Sequence, residues 1–151
     1  MLKKVFVLLF LLLIISGCGY VAVYKGVAKF NYKILVSEHT GDRDMINLIN
    51  TRLKKYSEIK SDKNFIIKID TIYQKNIIAK DTAGKATDYQ IKVTSNFNIK
   101  SEVINKIIKI NETFNVKAMD NKFEEQRYDT IIKNNIANTI VKRIILQLSR
   151  N

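Results

Sequence analysis

The sequence predicts a single α+β domain: a four-stranded, mainly antiparallel sheet with two helices on one face, in the order β-α-β-β-β-α. Three observations carry this. From Tyr89 to Lys100 the chain alternates without a break. Tyr89, Ile91, Val93, Ser95, Phe97 and Ile99 point one way and Gln90, Lys92, Thr94, Asn96, Asn98 and Lys100 the other, the period of a half-buried strand. Two other stretches repeat at helical spacing. Met45, Ile49, Leu53 and Tyr56 form one stripe; Tyr128, Ile132, Ile136, Ile140, Ile144 and Leu148 form a longer one, reinforced by Ala137, Val141 and Ile145. No internal repeat, linker or low-complexity tract divides the chain.

In chain order, the first strand is marked by Phe30, Tyr32, Ile34 and Val36 alternating with Asn31, Lys33 and Leu35. Ser37 to Asp42 reads as a loop that holds His39 and Gly41 and offers Thr40 and Asp42 as caps for the first helix. After Asp62-Lys63-Asn64, a second strand places Phe65, Ile67, Ile69, Thr71 and Tyr73 on one face and Lys68, Asp70 and Gln74 on the other. Asp81-Thr82-Ala83-Gly84-Lys85 is a turn, with a glycine for the positive-φ position. Ser101 to Asn105 is the next turn, and Ile108, Ile110, Phe114 and Val116 define a fourth strand with Glu112 out of place on its apolar face. The period becomes helical from about Lys122, where Glu124 and Glu125 oppose the positive end of the helix dipole. The second and third strands are long, roughly 12 to 15 residues against a usual 5 or 6. Their outward side chains are Lys, Gln, Asn and Thr, so this hairpin is expected to project beyond the helices.

The N-terminus sets the compartment. Met1-Leu2-Lys3-Lys4 is a short basic segment, and Val5 to Ile15 is an apolar run of 11 residues. That suits a secretory signal, whereas a spanning helix needs about 20 apolar residues. The run ends in Ile15-Ser16-Gly17-Cys18, the pattern of a bacterial lipobox in which the cysteine is acylated and becomes the new N-terminus. Residues 1–17 are expected to be removed, 18–28 to form a lipidated tether, and 29–151 to fold. Gly19 stands where Asp would favour inner-membrane retention, so the expected address is the periplasmic face of the outer membrane.

Charge needs interpretation. The chain has 26 Lys+Arg against 14 Asp+Glu, a net charge of +12 that falls to +10 when Lys3 and Lys4 leave with the leader. The basic residues are 21 Lys and 5 Arg, beside 24 Ile and 15 Asn, a mixture that an AT-biased coding sequence produces. Arg, the better bidentate phosphate ligand, is scarce, which argues against DNA recognition. One Cys excludes a disulfide framework, and with His39 as the lone imidazole there is no soft-ligand metal set. No nucleophile elbow, phosphate loop or HExxH motif occurs, so no enzymatic activity and no cofactor are expected.

Four features recur together: Cys18-Gly19-Tyr20 at the lipobox; a β-α opening with Arg52 late in the first helix; a glycine turn leading to a Tyr-initiated alternating strand, Gly84 to Ile99; and Phe123-Glu124-Glu125 ahead of a long C-terminal Ile/Leu helix. In order and spacing the chain resembles the lipopolysaccharide-assembly lipoprotein LptE family over essentially its whole mature length. The resemblance implies an outer-membrane lipoprotein that plugs the β-barrel LptD, supports its folding and contacts lipopolysaccharide. Lys80 and Lys85 beside the Asp81–Gly84 turn, and Lys92 on the polar strand face, are the candidate contacts for lipid A phosphates. The alternative is another periplasmic accessory lipoprotein, a cell-wall synthase regulator or a lipid-transporter subunit.

Overall fold

The computed structural model describes residues 32–150. The leader 1–17, Cys18 with the tether 18–28, and Phe30 lie outside the described residues. The order is that read from the sequence: β1 (Lys33–Gly41), α1 (Arg43–Ser57), β2 (Asn64–Lys80), β3 (Ala86–Lys100), β4 (Asn105–Lys117) and α2 (Lys122–Leu148). The strands form one sheet in sequential order. β2–β3 and β3–β4 are antiparallel, and β1–β2 is the single parallel pair, because α1 carries the chain back across the sheet between them.

The core lies between the sheet's inner face and the two helices. Phe65, Ile67 and Ile69 of β2, Ile91, Val93, Phe97 and Ile99 of β3, and Ile108 and Ile110 of β4 meet Met45, Ile49 and Leu53 of α1 and Ile136, Ile140 and Ile144 of α2. Both helices begin on side-chain caps. Of the two candidates for α1, Asp42 does the work: its Oδ1 accepts a 2.9 Å bond from Met45 N. Thr40 instead donates to Asp70 Oδ1 across the strands. Asn121 caps α2 by accepting from the backbone N–H groups of Phe123 and Glu124. Arg52 joins the helices. It donates to Leu48 O within α1 and to Asn134 and Asn138 of α2.

Several expectations are corrected. Ser37 to Thr40 is strand, not loop, so His39 pairs with Ile69 and is an exposed strand residue. A bulge at Ser37 lets β1 continue along β2, and long-range parallel pairing overrides the turn-like local sequence. Tyr128 falls off the buried stripe of α2 and is 36% exposed. Each four-residue step turns about 400°, roughly 40° beyond a full turn, so a stripe of such steps drifts around the helix. β2 and β3 reach 17 and 15 residues, but their hairpin has company. β4 runs beside β3 as far as the Asp88–Lys117 pair, and the first turns of α2 dock on Lys75. Only the last residues of β2 and the turn extend past the helical cover.

Inside the core, Thr71 and Ser95 are fully buried cross-strand partners whose hydroxyls share a 3.0 Å hydrogen bond. Thr71→Val alone strands the Ser95 hydroxyl and is expected to cost about 1–2 kcal/mol. Thr71→Val combined with Ser95→Ala removes both ends of the bond and recovers most of that loss, as urea-denaturation midpoints of the two variants will show.

Candidate functional site

The sheet's outer face is uncovered by any described helix, and strand alternation assigns its side chains. Register stacks them in cross-strand rows: Asp70–Asn96–Lys109, Ile72–Thr94–Asn111, Gln74–Lys92–Thr113 and Asn76–Gln90–Asn115. Neighbours in these rows bond to each other. Thr94 Oγ1 donates to Asn111 Oδ1 at 2.9 Å, Gln90 Nε2 to Asn115 Oδ1 at 3.3 Å, and Asn96 Nδ2 to Asp70 Oδ2 at 3.2 Å. The face is therefore a lattice of carboxamides and hydroxyls with cations set into it. It is less uniformly polar than expected, because Ile66, Ile72 and Ile107 also point outward and are 46%, 49% and 70% exposed.

The three candidate lysines occupy two places. Lys80 and Lys85 stand together at the tip, on either side of the turn. That turn is built by Asp81, whose Oδ1 accepts from Ala83 N and Lys85 N, and by Gly84 at φ +81°. Lys92 sits on the outer face, about 20 Å down the strand from Ala86 at some 3.4 Å per residue. Lys109 lies on the same face, opposite Asn96, a position that the register of β4 on β3 sets.

Asp120 also changes the tip. Its Oδ1 pairs with Lys85 Nζ at 2.6 Å, and this holds the Lys85 ammonium above its usual range and the Asp120 carboxyl below its own. Both side chains are well exposed, so the pair is screened and exchangeable.

Behind the tip, the inner face carries a charged belt where apolar core would otherwise continue. Lys75 lies over the Tyr89 ring at 4.6 Å and bonds Glu125 and Asp129 of α2. Burial pulls the Lys75 pKa down, but those two carboxylates outweigh it and hold it raised. Lys133 repeats the arrangement over Tyr73 with Asp44 of α1 as its partner. Burial and Asp129 together push the Tyr73 hydroxyl up. Among the described residues, no group of three or more His, Cys, Asp or Glu is placed to hold a metal, and no helix is long and apolar enough to cross a membrane.

This architecture is a known one: an α+β fold found in bacterial lipoproteins. The chain superposes on rare lipoprotein B from Shewanella oneidensis with a TM-score of 0.58 at 11% identity, covering 78% of this chain and 94% of that one. A minor lipoprotein from Acinetobacter baumannii gives 0.53 at 12% identity, over 78% of this chain and 92% of that one. Lipoprotein B from Nitrosomonas europaea gives 0.53 at 12%, over 81% and 90%. At such identities the likeness is one of fold. No family model and no curated protein matches the sequence.

Proposed function

We propose that this chain is a lipoprotein anchored through Cys18 to the periplasmic face of the outer membrane, where it plugs and helps assemble the LptD β-barrel and assists lipopolysaccharide delivery to the outer leaflet. Binding and assembly, not catalysis, is the activity proposed. The observation that carries this reading is the open outer sheet face, a hydrogen-bonding lattice running from Asp70–Asn96–Lys109 to Asn76–Gln90–Asn115. The lumen of a large outer-membrane barrel is polar and water-filled, and the carboxamides, hydroxyls and lysines of such a face match it, with Ile66, Ile72 and Ile107 as apolar exceptions. The lipobox and the fold shared with proteins named as lipoproteins support the anchor.

Purification of the full chain in mild detergent tests the partner. A large outer-membrane barrel is expected at one-to-one stoichiometry. A clean preparation holding only inner-membrane or cell-wall proteins overturns the reading and favours the accessory-lipoprotein alternative. For the tip, Lys80→Glu with Lys85→Glu is expected to weaken lipopolysaccharide binding at moderate salt while barrel association survives. The exchangeable Lys85–Asp120 pair leaves Lys85 able to turn to a phosphate. Unchanged binding removes the tip as the contact.

A further inference from the structure

Among the described residues, β1 is an edge strand: it pairs with β2 on one side and with no strand on the other. Lys33 N donates to Lys63 O on the β2 side, so strand alternation turns the backbone groups of Ile34 and Val36 outward. α1 leaves the end of β1 through Gly41 and folds back beside it. A groove of about 460 Å³ lies between them, with Val36 and His39 from the strand and Asn50, Leu53 and Lys54 from the helix among its walls. Past His39 it meets a second hollow that includes Arg43 and Ile46.

A free strand edge flanked by a helix is the geometry in which an extended peptide docks by adding a strand. The edge supplies backbone hydrogen bonds, and the groove takes alternate side chains. Two details say what would fill it. Asn50 Oδ1 is buried and accepts no hydrogen bond, an acceptor that rotation of its carboxamide presents to an incoming N–H. The charged side chains lining the groove and the hollow are Lys54 and Arg43, with no carboxylate among them. The nearby acids are engaged elsewhere: Glu38 with Lys68, Asp44 with Lys133, and Asp42 as the cap of α1.

We infer that the groove between β1 and α1 is a strand-addition site for an acidic, extended segment of a partner protein. Charge disfavours the other occupants. Residues 18–31 of this chain carry Lys25 and Lys29 and no acid, and a second copy of β1 would bring Lys54 and Arg43 against their own kind.

Hydrogen–deuterium exchange of the full chain in non-ionic detergent tests this with two acetylated ten-residue peptides, one alternating valine with glutamate and one alternating valine with lysine. The glutamate peptide is expected to slow exchange across 33–41, and the lysine peptide is not. Lys54→Glu with Arg43→Glu should weaken the glutamate peptide about tenfold at low salt. Thr51→Trp, which fills the groove from an exposed helix position, should abolish protection of 33–41. Equal protection by both peptides, protection by neither, or protection confined to the β4 edge overturns the assignment.

Discussion

Gly41→Ala is expected to cost about 3 kcal/mol or more and to lower the melting temperature by roughly 10 °C. Two effects add. Gly41 adopts φ +103°, where an L side chain is strained. A Cβ there would also stand 2.0 Å from the carbonyl oxygen of Thr71, backbone that cannot swing aside as a side chain does. That carbonyl is already committed, accepting a 2.7 Å bond from Asp42 N at the point where β1 gives way to α1. Relief of the clash would therefore disturb the crossover, the cap of α1 and the buried Thr71–Ser95 pair together. Gly84→Ala is the matched control. Its φ is +81°, but a Cβ meets nothing within 4 Å, so only the conformational strain of about 1–2 kcal/mol is expected. Thermal unfolding of the two variants decides the matter: equal losses would mean the close approach at Gly41 contributes nothing.

Arg143→Ala is expected to cost about 2–3 kcal/mol, and Glu112→Leu added to it to restore most of the loss. Glu112 points into the core from β4 and is 8% exposed, between Ile110 and Phe114 on its own strand and opposite Val93 of β3. Arg143 of α2 answers it, with Nη1 2.9 Å from Oε1, as an ion pair without the alignment of a hydrogen bond. The arginine is half in water, with 53% of its side chain exposed. Removing it leaves a carboxylate in an apolar layer with no countercharge, which is more costly than never having the pair. Leucine at 112 suits the surrounding isoleucines and valine, so the double variant should match the parent within about 1 kcal/mol. Denaturant midpoints provide the measurement. A double variant as unstable as Arg143→Ala would show that the arginine acts through packing of its stem instead.

Local regularity explains what could be read from the chain. β3 alternates without interruption, and it became one of the two inner strands with the pattern intact. The switch to helical period near Lys122 coincides with the first residue of α2. The Asp81–Lys85 turn formed as its Asp and Gly required. Where the reading failed, a partner far along the chain decided the outcome. Ser37 to Thr40 looks like a loop because its own residues favour one, but pairing with Ile67–Asp70 makes it strand. Lys85 looks like a free cation until Asp120, in the connection between β4 and α2, pairs with it. Lys75 continues the inner parity of β2, and α2 lays Glu125 and Asp129 over it, a contact that no local period marks.

The sequence by itself determined the element order, the tip turn and the apolar faces of β2, β3 and β4. Each of these depends on residues within a few positions of one another. Tertiary structure alone decided which cations are neutralised, that Glu112 has an answering arginine, and that a groove lies along β1. Those features depend on register and helix docking, which bring together groups tens of residues apart, and no local period records them.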